Sequence, residues 1–167
     1  MNKLELFWDV GSPYSYLAIK QLEKKWSVLK ERVDLKPFLI GGVFKATGNS
    51  MPAAIPAKAA YMRQDLLRWA EKLKVPMKTP GDGTPFPINT LLPMRGATVA
   101  KNKGRGFEFC LELFNAYWGE GCDVSQPEVL GGVATAAGIE AGGFLEQCGA
   151  QGTKDKLRDT TAEAASK

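Results

Sequence analysis

The sequence has no histidine and only three cysteines, Cys110, Cys122 and Cys148, among its 167 residues. Without an imidazole, Ser-His-Asp and Cys-His catalysis and the usual zinc sites are excluded. The cysteines are widely spaced and make no C-x-x-C, so neither a dithiol redox centre nor a four-cysteine metal site can be built. They read as reduced, partly buried small hydrophobes, and no metal is expected. No apolar run approaches the ~20 residues of a membrane span. Glu5 and Asp9 interrupt the first apolar segment, which is therefore no signal-peptide core. The expectation is a cytoplasmic protein with no membrane partner. Net charge is a mild +4, with no basic block of the kind that marks nucleic-acid binding. A small anionic ligand suits it as well as anything larger.

What is present is an ordinary globular composition, 44% hydrophobic and 24% charged, at about one domain's length. Leu4 to Val10 reads as a buried strand. Ser12 at N-cap and Pro13 at N1 then open a helix running to about Lys30, with Tyr16, Ile19, Leu22 and Trp26 on one face. A second strand, Val33 to Ile40, follows. Strand, helix, strand at this spacing is a βαβ unit, which makes the two strands parallel. After Gly41-Gly42 the chain reads as loop as far as Pro56. Helices are expected over Pro56 to Leu73, with Met62, Leu66, Trp69 and Leu73 as its stripe, and over Leu91 to Asn102. Between them Val75 to Thr90 is too rich in proline and glycine for regular structure. Phe107, Leu111, Phe114 and Trp118 mark another helix, and these stripes read as core. Ser125-Gln-Pro-Glu128 has the form of a capping box opening a helix to about Ala137. A short helix near Phe144 and a last one, Thr153 to Ala165, complete the layout.

GSPYS, Gly11 to Ser15, is the stretch with functional content. In the plainest reading Ser12 is a helix cap and nothing more. Its position suggests more, because the carboxyl end of a first strand, at the next helix's N-terminus, faces the crevice where open α/β sheets bind ligands. Free N–H groups and the helix dipole favour an anion there, and a thiolate is such an anion. Ser12 can donate to a ligand's sulfur without being a nucleophile, since no base stands by to activate it.

FWDVGSPYSYLA, KPFLIGGVFKATGN, PAKAAYMRQDL, FPINTLLPMRG and WGEGCDVSQPEVL together resemble the 2-hydroxychromene-2-carboxylate isomerases. They are also similar to the kappa-class glutathione transferases, within the DsbA-like thioredoxin group. The resemblance implies an α/β fold: a thioredoxin-like βαβ unit over residues 1–44 with a large all-helical insertion over 45–167. In relatives of this kind a cis-proline loop, two strands and a helix return to the sheet after the insertion; nothing in this sequence matches them. SPYS stands where oxidoreductases carry C-x-x-C, and glutathione supplies the thiol. By the same likeness Ser12 serves the glutathione sulfur, while Pro13, Tyr14 and Asn49 line its site. Asn49 is also a good left-handed turn residue. Lys45, Lys58 and Arg95 fall in matched motifs and are candidates for a carboxylate, glutathione's or the substrate's, though the plainer reading of each is a solvated surface charge.

The implied activity is glutathione-dependent cis–trans isomerisation of a small aromatic 2-oxo acid, by addition and elimination of the thiolate. A kappa-type transferase would use the same site and release a conjugate. A non-catalytic or inactive truncated thioredoxin-fold protein is the third possibility. Disulfide exchange is disfavoured, because Ser12 and Ser15 cannot perform it. Relatives of this kind commonly pair, so a homodimer is expected.

Overall fold

The computed structural model describes residues 3–80 and 82–167. Strand β1, Leu4–Trp8, pairs in parallel with β2, Val33–Pro37, in a register that sets Leu6 against Leu35 and Trp8 against Pro37. These two strands are the sheet among the described residues. Both end earlier than the sequence suggests, because the chain turns at Asp9 and at Phe38. The expected long helix is two pieces, α1 (Pro13–Glu23) and α2 (Trp26–Leu29). A tight turn, Lys25 N–H to Leu22 C=O at 2.9 Å, separates them and swings Trp26 flat onto Phe107, with ring centroids 3.8 Å apart.

The stretch expected as loop begins instead with a helix, α3 (Ile40–Thr47), which takes in Gly41 and Gly42 and crosses the expected 44/45 division. Its start is held from outside. Asp9 Oδ2 accepts from Ile40 N–H at 2.8 Å, and Thr161 Oγ1 accepts from Leu39 N–H at 3.0 Å. Gly42 is required by that second contact, since a Cβ there would sit 2.8 Å from Thr161 Cγ2.

Helices α4 (Pro56–Leu73) and α5 (Leu91–Asn102) have the expected bounds. On α4 the inward face is Leu66 and Ala70, whereas Trp69 lies outside the core at 39% exposure with Lys72 above its ring. Helix α6 (Gly106–Phe114) runs into a wider π-helical turn, Asn115–Gly119. That shift buries Phe109, Leu113, Phe114, Tyr117 and Trp118 and leaves Leu111 half-buried. Helices α7 (Pro127–Ala136), α8 (Phe144–Gly149) and α9 (Gln151–Ala165) follow. The capping box does not form: Gln126 is the N-cap, and Ser125 bonds back to Asp123 instead.

The core centres on α5, which packs against α6, α7, α8 and α9. Gly96 is the closest approach: a Cβ would lie 3.0 Å from Phe109 and 3.1 Å from Phe144. Lys36 ties α9 to the sheet, bonding Glu163 at 2.6 Å and also Glu5. Among the described residues no helix is long and apolar enough to cross a membrane.

Candidate active site

Ser12 caps α1 in extended conformation, with φ −95° and ψ 111°. Its Oγ accepts from Ser15 N–H at 3.2 Å and its carbonyl from Tyr16 N–H at 3.2 Å. The hydroxyl keeps its proton for another acceptor. Pro13 follows at N1, where its missing N–H leaves no gap in the helix.

Asp9 anchors the turn before Ser12. It is fully buried, and its carboxylate accepts from Gly11 N–H at 2.8 Å, Ile40 N–H at 2.8 Å and Thr90 Oγ1 at 3.1 Å. One carboxylate thus joins the end of β1, the start of α3 and the start of α5. Burial pushes its pKa up, against the pull of the three hydrogen bonds.

The proline- and glycine-rich segment expected as irregular, residues 75–90, is a strap held by buried aromatic side chains; Gly81 lies outside the described residues. Tyr16 OH donates to Pro76 C=O and Tyr117 OH to Pro85 C=O, each at 2.6 Å. Lys78 N–H donates to Trp118 C=O at 2.6 Å. Trp118 in turn donates Nε1–H to Val10 C=O at 2.7 Å. Burial pushes the Tyr16 hydroxyl up to about 12 and Tyr117 higher, so both stay neutral donors.

Two spaces meet at the strap. A groove of about 550 Å³ runs past Gly11, the start of α3 from Leu39 to Gly42, and strap residues Phe86 to Leu91. A cavity of about 400 Å³ lies between Pro13, α4, Phe86 and Trp118. Its lining is apolar apart from Thr79 and Arg63. Phe86 borders both spaces, and Ser12 stands between Gly11 in one and Pro13 in the other.

Of the residues singled out by sequence, Pro13 lines the cavity, and Ser12 lines neither space but stands in the chain between Gly11 on the groove and Pro13. Tyr14 points outward at 41% exposure, and its OH donates to Asp65 Oδ2 at 2.9 Å. Burial and the Asp65 charge push it up to about 12, which keeps it protonated. Lys58 joins Tyr14, Tyr61 and Met62 around a shallow adjoining pocket. Arg95 lines a third space that continues the groove. Lys45 and Asn49 are exposed and line neither the groove nor the cavity. Asn49 Oδ1 accepts from Ser50 N–H at 2.8 Å, and the left-handed conformation falls on Gly48, φ 69°, not on Asn49.

Asp9 and Arg63 are the residues sequence reasoning missed. Asp9 was visible as a charge inside an apolar strand, next to the Gly-Ser-Pro turn. Arg63 was visible from spacing: Ala59, Met62, Arg63 and Leu66 fall on one helical face and all line the cavity. Cys110 and Cys148 are buried, as expected, and burial pushes Cys110 well up and Cys148 up to about 11. Cys122 lines a separate pocket with Glu112 and Glu120. Among the described residues no group of three acidic, cysteine or histidine side chains could hold a metal.

The profile of the DSBA-like thioredoxin domain matches residues 3–167. Human glutathione S-transferase kappa 1 is 30% identical over 96% of this chain and 74% of its own. The 2-hydroxychromene-2-carboxylate isomerase of Sphingobium xenophagum is 27% identical over 86% of this chain and 72% of its own. A solved 2-hydroxychromene-2-carboxylate isomerase superposes with a TM-score of 0.84 at 22% identity, covering 97% of this chain and 78% of that one, a likeness of fold. With the sequence motifs, the βαβ start and the capped Ser-Pro turn all in agreement, the chain belongs to the DSBA-like thioredoxin domain family and is homologous to the kappa-class glutathione transferases and the 2-hydroxychromene-2-carboxylate isomerases.

Proposed function

We propose that this protein is a glutathione-dependent isomerase acting on a small aromatic 2-oxo acid of the 2-hydroxychromene-2-carboxylate type. The observation that carries the reading is Ser12 capping α1 between two chain neighbours that line open space, Gly11 on the groove and Pro13 on the apolar cavity. Both spaces fall within the ~300–1,000 Å³ typical of small-molecule sites.

The donor set fits the thiol of glutathione. Ser12 has an uncommitted O–H, and the first turn of α1 has no acidic residue to compete for its dipole. No cysteine lines either space, so a thiol must come from a ligand. Bound glutathione supplies a thiolate able to add reversibly to a conjugated double bond. The protein's own tasks are electrostatic and positional. Ser12 donates to the sulfur and, with the α1 N-terminus, favours its ionised form. Asp9 holds Gly11, Ile40 and Thr90 in place along the groove. Phe86 and Trp118 give the aromatic ring an apolar seat. Among the described residues Arg63 is the one cation lining the cavity, and it takes the substrate carboxylate, with Lys58 beside the outer pocket. Replacing Arg63 by Leu should raise KM for a carboxylate substrate at least tenfold with little change in kcat, measured by steady-state kinetics.

A kappa-type transferase is the second reading, favoured by the longer match to the human kappa enzyme. The deciding assay follows glutathione alongside the aromatic substrate. Isomerisation converts substrate with the thiol concentration unchanged, whereas conjugation consumes one thiol per turnover. A cytoplasmic location and a homodimer belong to the same proposal, and the latter is read directly by sedimentation velocity.

A further inference from the structure

The apolar cavity does not stop at the inner face of α4. Met62 lines it and also lines the adjoining outer pocket, a second space of about 400 Å³. The walls run on from one space to the other. Ala53 borders the cavity, and its chain neighbour Pro52 borders the outer pocket. On α4, Ala59 and Ala60 face the cavity, while Ala57 and Lys58 just before them face the pocket. Met62 is half-buried and divides the two. Methionine is unbranched, with three rotatable bonds, and of the side chains here it is the one best able to move aside for a ligand.

The outer half also carries aromatic surface with little packed against it. Tyr61 is 62% exposed, and Tyr14 beside it is held in place by its hydrogen bond to Asp65. A large ring left in water at the mouth of an apolar opening marks a contact surface. Two tyrosines and Pro52 offer flat faces, which suit another ring in an offset or edge-to-face arrangement better than an alkyl chain. Size points the same way. Each space alone lies near the bottom of the ~300–1,000 Å³ range of small-molecule sites, and the two joined lie well inside it. A one-ring acid with its carboxylate at Arg63 and its ring on Phe86 and Trp118 fills only the inner half.

We propose that cavity and outer pocket are one substrate cleft, in which Tyr61 is a specificity-determining residue: it seats the second aromatic ring of an elongated 2-oxo acid that passes Met62. The assignment rests on the cavity being the substrate's seat, as given above. It does not depend on the thiol.

The test is calorimetric titration, without glutathione, of benzylidenepyruvate and of its biphenyl analogue, one-ring and two-ring forms of the same acid. The chains compared are the wild type, Tyr61→Ala, Tyr61→Phe and Trp69→Ala. The wild type should bind the two-ring acid at least tenfold more tightly than the one-ring acid. Tyr61→Ala should cut that preference at least threefold, and Tyr61→Phe, which keeps the ring, should retain it. Trp69 is an exposed aromatic farther along α4 that lines neither space, so Trp69→Ala should keep the wild-type preference. An undiminished preference in Tyr61→Ala overturns the assignment, since the longer acid then gains from general hydrophobicity alone. So does an equal loss in Trp69→Ala. A wild type that binds the one-ring acid as tightly as the two-ring acid also overturns it and leaves the cavity reading standing. If the wild type binds neither acid, the cavity reading falls and this assignment with it.

Discussion

Helices α4 and α5 are consecutive in the chain but do opposite work. Seven of the twelve residues of α5 are buried, among them Met94, Ala97 and Val99, and four helices pack on it. On α4 only Leu66 and Ala70 of eighteen residues are buried. The contrast lies in side-chain size as much as in position. Over its first half α4 turns Ala59 and Ala60 toward Pro13, Phe86 and Trp118. Those short side chains cannot reach across, and the cavity of about 400 Å³ remains between the elements. Where α5 meets α6 and α8 the reverse holds, since even a Cβ at Gly96 would press on Phe109 and Phe144. Helix α5 is packed into the core, and α4, which precedes it, is underpacked and borders an open cavity.

Substitutions can sharpen that contrast. Phe109→Ala, in the dense region, should lower unfolding free energy by about 3–5 kcal/mol in urea titrations. Leu66→Ala, on the cavity wall, should lie near the bottom of the large-to-small range, about 2 kcal/mol, because its removal extends an existing space. If the two losses were equal, the division between packed and underpacked helices would be wrong. Between these in size is Asp9→Ala, roughly 3 kcal/mol, since three donors lose their acceptor.

Asp9→Asn tests the same anchor through pH. Burial raises the folded-state pKa of Asp9 above its ordinary 3.8. As pH rises through that window the unfolded chain releases the proton before the folded chain does. Wild-type stability should therefore fall relative to Asp9→Asn with rising pH, read from paired denaturation curves. The smallest effect on stability is expected for Ala60→Leu, which fills open space and should change it by no more than about 1 kcal/mol. The same substitution should raise KM for the aromatic substrate at least tenfold.

Elements governed by local signals were legible in the sequence. Pro56 at N1 and an uninterrupted helical pattern set the start and end of α4, and Ser12-Pro13 set the start of α1. Elements governed from a distance were not. Gly41-Gly42 looks like a break, yet α3 forms because Asp9 and Thr161 hold its first N–H groups from thirty and more residues away. The capping box failed because Asp123, two residues upstream, competes for Ser125. Candidate site residues divided the same way. Ser12 caps α1 and Pro13 lines the cavity, as a local motif can foretell, whereas Lys45 and Asn49 were picked by motif likeness and are exposed, lining neither the groove nor the cavity. Arg63 and Asp9 carried signals in helical spacing and in a charge within an apolar strand, but which space and which partners they meet is set by elements distant in the chain.

The most direct measurement is the pKa of the glutathione thiol when bound, followed by thiolate absorbance near 240 nm across a pH titration with saturating protein. A free cysteine thiol titrates near 8.5. Binding at the α1 N-terminus should lower the value for glutathione by at least one unit, and Ser12→Ala should return most of that shift while costing about 1 kcal/mol of stability as a lost cap. A bound thiol that titrates as it does in water, or a lowered value unchanged in a folded Ser12→Ala variant, would contradict the role assigned to Ser12.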